Sequence, residues 1–125
     1  MKLKFCEVKP MQQCFEEAFE HILNAKKRGS SGLAKIKNLS GYRNRVVSYA
    51  VLFYLRGNWK KTDLIDCELR AAHYGVALGT VMERTVEYGD INTTQYIKLL
   101  KQARKISQSA DMSSFACPPQ LLKPL

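Results

Sequence analysis

From His21 to Thr62 the chain has no aspartate and no glutamate, a run of 42 positions without one acidic residue. In an ordinary soluble domain about a quarter of the residues are charged and the signs are interspersed, so this gap excludes a mixed, neutral surface for the segment. Other absences narrow the field further. No apolar run approaches the roughly 18 residues of a membrane span, and Met1 to Phe5 lacks the apolar core of a secretory leader. A soluble, cytoplasmic protein with no membrane partner is the expectation. The four cysteines, Cys6, Cys14, Cys67 and Cys117, form no C-x-x-C pair, and no histidine stands at zinc-finger spacing. Reduced thiols, no metal and no cofactor are therefore expected. Gly29-Ser30-Ser31-Gly32 lacks the Lys-Ser/Thr that completes a phosphate-cradling loop. His21 and His73 fall in no nucleophile motif, and the reading is of a protein that is not an enzyme.

What fills the acid-free stretch is cation. Ten basic residues lie there, Lys26, Lys27, Arg28, Lys35, Lys37, Arg43, Arg45, Arg56, Lys60 and Lys61, in a chain of net charge +9. Residues 1 to 20 carry −1, 63 to 90 carry −4 and 91 to 125 carry +4, so the central and late segments supply the excess. A polyanion is the natural partner of such a surface. Tyr42 and Asn44 beside Arg43 and Arg45, and Asn58 and Trp59 beside Arg56, Lys60 and Lys61, add stacking and hydrogen-bonding groups suited to nucleic acid. A solvated charged face accounts for the same cations without any ligand.

With 125 residues, 46% of them hydrophobic, the chain suffices for one domain with one core. The fold class expected is all-α, a small bundle of about four helices over residues 1–108, with a short N-terminal extended arm over Lys2 to Lys9. Residues 109–125 are expected to form a poorly ordered tail that docks through Phe115, Leu121, Leu122 and Leu125. Met11, Phe15, Ala18, Phe19, Ile22 and Leu23 recur at helical spacing behind Pro10 and predict a first helix to Arg28. The second, from Tyr42 to Leu55 and closed by Gly57, is apolar nearly all round in its later half and should be the central buried helix. Thr62-Asp63 starts a third helical pattern that runs to Tyr88, as one helix or as two broken near Gly75 to Gly79. Asn92-Thr93-Thr94 caps the last, with Tyr96, Leu99, Leu100, Ala103 and Ile106 inward and Lys98, Lys101, Arg104 and Lys105 outward.

The segment Ala71-Ala72-His73-Tyr74-Gly75-Val76-Ala77-Leu78-Gly79-Thr80-Val81-Met82-Glu83-Arg84 resembles the helix-turn-helix of bacterial transcription regulators. In that family a small residue, a turn glycine four positions later and a buried Val or Ile six beyond set the angle between two helices, and Ala71, Gly75 and Val81 stand in those places. Tyr74 and Val76 match the apolar positions flanking the turn. The resemblance implies a DNA-binding regulator in which Ala77, Leu78, Thr80 and Arg84 face the major groove, acting as a dimer on a two-fold site. The alternative is an unbroken helix in which Ala71, Gly75 and Gly79 form a smooth strip against a neighbouring helix. The partner expected is thus nucleic acid, DNA favoured over RNA, bound by the ten cations above with Thr80, Arg84, Lys98, Lys101 and Lys105. A protein-interaction module, an adaptor or inhibitor docking on an acidic protein, is the reading of a different class. Apolar excess in the second and third helical segments makes a homodimer the expected assembly.

Overall fold

In the computed structural model, residues 9–29, 33, 36–59, 67–75, 77–88 and 93–116 are described. Helix α1, Met11–Lys27, begins at Pro10, whose extended backbone (φ −70°, ψ 159°) places it at the cap rather than in the first turn. Its carbonyl accepts the Cys14 amide at 3.2 Å. Met11, Cys14, Phe15, Ala18, Ile22 and Leu23 form the buried face, as their spacing predicts, and Lys26 and Lys27 occupy the last turn, where cations suit the helix dipole.

Helix α2, Leu39–Trp59, is longer at both ends than its apolar run. The early start is explained by Asn38, whose side-chain oxygen accepts the Gly41 amide at 2.8 Å, the geometry of an N-cap. At the other end Gly57 lies inside the helix instead of closing it, because Asn58 anchors one more turn. The Asn58 amide is only 4% exposed. It accepts the Lys9 backbone N–H at 3.0 Å and donates to the carbonyls of Lys9 at 3.0 Å and Tyr54 at 2.9 Å. That reciprocal pair fixes the entry to α1 against the end of α2. Between these caps Val46, Ala50, Val51, Leu52 and Leu55 have no exposed surface, so α2 is the central helix, packed against α1 and against both later long elements.

The third helical pattern resolves into two helices, α3, Cys67–Tyr74, and α4, Leu78–Tyr88. The break is at Gly75, which takes φ +67° while its amide donates to the Ala72 carbonyl at 3.3 Å. A left-handed residue cannot continue a right-handed helix, and the unbroken-helix alternative is corrected on that ground. The glycine strip it required is absent too. A methyl at Gly75 would meet nothing within 4 Å, whereas one at Gly79 would sit 3.5 Å from the Ser48 hydroxyl on α2. Only Gly79 therefore lies against another helix.

Helix α5, Thr93–Ser109, buries Tyr96, Leu99, Ala103 and Ser107. It leads into a 3-10 turn, Ser113–Ala116, started by the Asp111 carboxylate accepting the Ser113 amide at 2.9 Å. Met112 and Phe115 are each 2% exposed and belong to the core. The expectation of a tail from residue 109 is corrected to that extent: two large apolar side chains hold 110–116 onto the bundle. The remaining tail, 117–125, lies outside the described residues, as does the expected N-terminal arm over Lys2 to Lys9 apart from Lys9 itself. Among the described residues there is no strand, and the fold is a small single-domain all-α bundle. Cys14 and Cys67 are fully buried in the core.

Two substitutions test these junctions. Asn58→Ala leaves both Lys9 backbone groups without their partner, and chemical denaturation should show a loss of roughly 1–3 kcal/mol, the cost of orphaned buried polar groups. A neutral result would mean that the pair does not hold α1. Gly75→Ala should destabilise by about 1 kcal/mol through the left-handed backbone. Gly79→Ala should be neutral or gain up to about 1 kcal/mol from helix propensity, since its nearest neighbour is at ordinary contact distance. Equal losses at the two glycines would contradict the break.

Candidate nucleic-acid interface

Three contacts gather cations of the acid-free stretch at one end of the bundle. The Lys26 ammonium lies 4.9 Å from the centre of the Tyr42 ring, joining the end of α1 to the start of α2. Lys26 also donates to the Phe115 carbonyl, and the Arg43 guanidinium donates to the Ser107 carbonyl, so α2 is tied to the end of α5 and to the 3-10 turn. Around this junction Lys27, Arg28 and Lys37 are exposed and Arg45 is half-exposed. None of these four makes an ion pair among the described residues, where the ion pairs are Lys9–Glu17, Arg56–Glu68 and His21–Glu68.

The sequence expectation is thereby divided. Lys26 and Arg43 are partly engaged in holding backbone carbonyls, and Arg56 pairs with Glu68 at 2.9 Å, so these three carry structure. Asn58, counted among the groups suited to base contact, is occupied by Lys9 and Tyr54. Lys35, Lys60 and Lys61 lie outside the described residues, as do Val76 and the side chain of Trp59. Lys98, Lys101 and Lys105 are exposed on α5 with Arg104, the first three at one-face helical spacing. Lys105 borders a groove of about 550 Å³ whose opposite wall is α1 with Glu16 and Glu20, and so stands beside acid rather than inside the positive field.

On the α3–α4 element, Ala71 and Val81 are 7% exposed and lie in the core, the places the resemblance assigns them. Ala77, Thr80 and Arg84 are exposed. Leu78 is 2% exposed, which corrects its assignment to the groove-facing set: its side chain packs into the bundle at the first turn of α4. Tyr74 departs as well. It is 68% exposed, pairing edge-on with His73 at 5.1 Å, instead of packing beside the turn. Gly79 seats the start of α4 beside Ser48. Arg45 is one helical turn from Ser48 on the same face of α2, so one half-exposed cation of the acid-free stretch lies a turn away from the seat of α4.

One cluster went unnoticed in the sequence because its members lie on three separate helices. Glu68 of α3 pairs with Arg56 of α2, approaches His21 Nε2 of α1 at 4.0 Å, and hydrogen-bonds Tyr49 of α2. The His21 ring rests against Tyr49 at 5.0 Å and Phe53 at 5.6 Å. Burial first, then the negative Glu68, pushes the Tyr49 phenol from 10.0 up to about 12, against the opposing pull of Arg45 and Arg56. Burial does the same to Tyr96, which is likewise raised to about 12. Among the described residues no group of three or more His, Cys, Asp or Glu could hold a metal ion, and no helix is long and apolar enough to cross a membrane.

A phenol whose folded pKa lies above its unfolded value stabilises the fold fully below the unfolded pKa and loses that contribution as pH rises through the folded one. Stability should therefore be insensitive to Tyr49 and Tyr96 below pH 10 and decline from pH 10 to about 12. Phenolate absorbance, followed alongside urea unfolding, checks the window. Glu68→Gln should lower the Tyr49 transition, and an unmoved transition would remove Glu68 from its surroundings. Comparison with known proteins places no relative beside this arrangement: no family model, no curated protein and no solved structure matches the chain.

Proposed function

We propose that the protein binds nucleic acid, DNA in preference to RNA, and regulates transcription through the α3–α4 element backed by the cationic end of the bundle. The observation that supports this reading is the left-handed break at Gly75, which separates α3 from α4 and leaves Thr80 and Arg84 exposed on the second helix of the pair. In such an arrangement the two parts divide the work. Lys27, Arg28, Lys37 and Arg45 neutralise phosphates and supply sequence-independent affinity, while Thr80 and Arg84 at the exposed side of α4 reach base edges. Arginine is suited to guanine because its planar fork matches two acceptors in the major groove.

Electrophoretic shifts with duplex DNA, single strands and structured RNA at two salt concentrations test the reading. Duplex should be preferred, and affinity should fall steeply as salt rises, because each neutralised phosphate releases counterion. Replacing Lys27, Arg28 and Arg45 by Glu should weaken binding to all sequences alike. Arg84→Ala should cost roughly 1–3 kcal/mol at a specific site and relax its preference. Stability should change by less than about 0.5 kcal/mol at each of the exposed positions Lys27, Arg28 and Arg84. Absent or salt-insensitive binding overturns the reading. Capture of an acidic protein that nucleic acid does not displace would favour the adaptor instead.

A further inference from the structure

The region of the 3-10 turn is attached to the bundle in a particular way. The Phe115 ring stacks on Tyr42, with ring centres 4.9 Å apart and planes 22° from parallel, and meets Phe19 edge-on at 4.9 Å. The Phe115 carbonyl accepts the Lys26 ammonium, which also lies over the Tyr42 ring. A flat ring is thus held between two aromatic walls while an oxygen a few bonds away takes a cation. That is the pair of contacts a nucleotide makes with a single-strand-binding surface, where the base stacks on an aromatic ring and the backbone meets lysine. Exposed Lys27, Arg28 and Lys37 belong to the same end of the bundle, and they offer the continuation of a polyanion its next contacts.

We infer that Phe19, Tyr42 and Lys26 form a stacking site for an unpaired nucleobase, and that Phe115 of the same chain occupies it. The strap of residues 110–116 and a single strand therefore compete for one place. This rests on the nucleic-acid reading but concerns a surface apart from α4, so the two can fail separately. Bound strand displaces the Phe115 ring and its carbonyl together, and the chain's own occupant keeps affinity for loose strands low. Phosphate-only contact at this end would leave the strap where it is.

Fluorescence anisotropy with a short thymidine oligonucleotide, on the full chain and on Phe115→Ala, reads the competition. Vacating the site should tighten single-strand binding about tenfold, the scale of one base stacked on an aromatic ring, with duplex binding unchanged. Equal or weaker single-strand binding by the folded variant overturns the site and leaves the α4 reading standing. Duplex binding that is absent while the strap effect persists overturns the α4 reading alone. Failure of both chains to bind any nucleic acid overturns both. Because Phe115→Ala removes a buried ring, hydrogen exchange on the unaltered chain provides the second measurement. The Phe115 amide donates to the Met112 carbonyl at 3.0 Å, and its exchange should speed up when the oligonucleotide saturates the protein. Unchanged or slower exchange shows that the strap stays seated and sinks the inference.

Discussion

The middle of α2 has no side that can face water. Val46, Ala50, Val51, Leu52 and Leu55 are fully enclosed, and each buried branched side chain is worth about 1.5–3 kcal/mol only if a neighbour covers it. Most other elements can be understood as part of that cover: α1, α5, α4 and the 3-10 turn all pack on α2, while α3 packs on α4 and is tied to α2 through Glu68 and Arg56. Because the enclosed stretch admits no charge, the cations of α2 are confined to its ends, Arg43 and Arg45 before it and Arg56 after it. The distribution of positive surface follows from the burial of the core.

At those ends the cations do two different kinds of work, and local sequence does not distinguish them. Arg43 and Lys26 meet backbone carbonyls of α5 and of the 3-10 turn, while Arg56 meets Glu68. Each is a contact over a large separation in the chain or between different helices. Lys27, Arg28 and Lys37 have the same composition around them and are exposed to solvent. A charge run therefore marks an electropositive region correctly while saying little about which members are free to meet a ligand.

Helix existence was legible because apolar residues at helical period must share one face, and α1, α2 and α5 have the buried residues that period implies. Boundaries were legible only where a local signal was read. Asn38 is an ordinary cap residue, but three glycines, three serines and several cations nearby made the whole region look like loop. Gly57 looked like a stop until Asn58 was seen to have backbone partners 49 positions away. For the α3–α4 segment, period is the same for a continuous helix and for two helices in phase, so the glycines alone could not decide. The left-handed angle at Gly75 decided it. Docking by Phe115 was legible from its apolar character, but not its receivers, since nothing local says that Phe19 and Tyr42 stand ready to receive it.

The net charge of −4 over residues 63 to 90 weighs against an anion-binding face on that segment, but net charge is not surface field. Glu68 is matched at 2.9 Å by Arg56 and faces His21, so its charge is spent between helices rather than displayed. The same pairing does mechanical work, since it fixes α3 to α2 while α3 carries the turn and α4 behind it. An acidic residue inside the element thus orients the helix whose exposed side bears Thr80 and Arg84. The cations that would complete a binding surface come from α1 and α2, not from the element itself. The charge of a segment and the charge displayed on its surface are thus separate quantities, and here the contact of Gly79 with Ser48 and the pairing of Glu68 with Arg56 fix the element to α2 by its inward side.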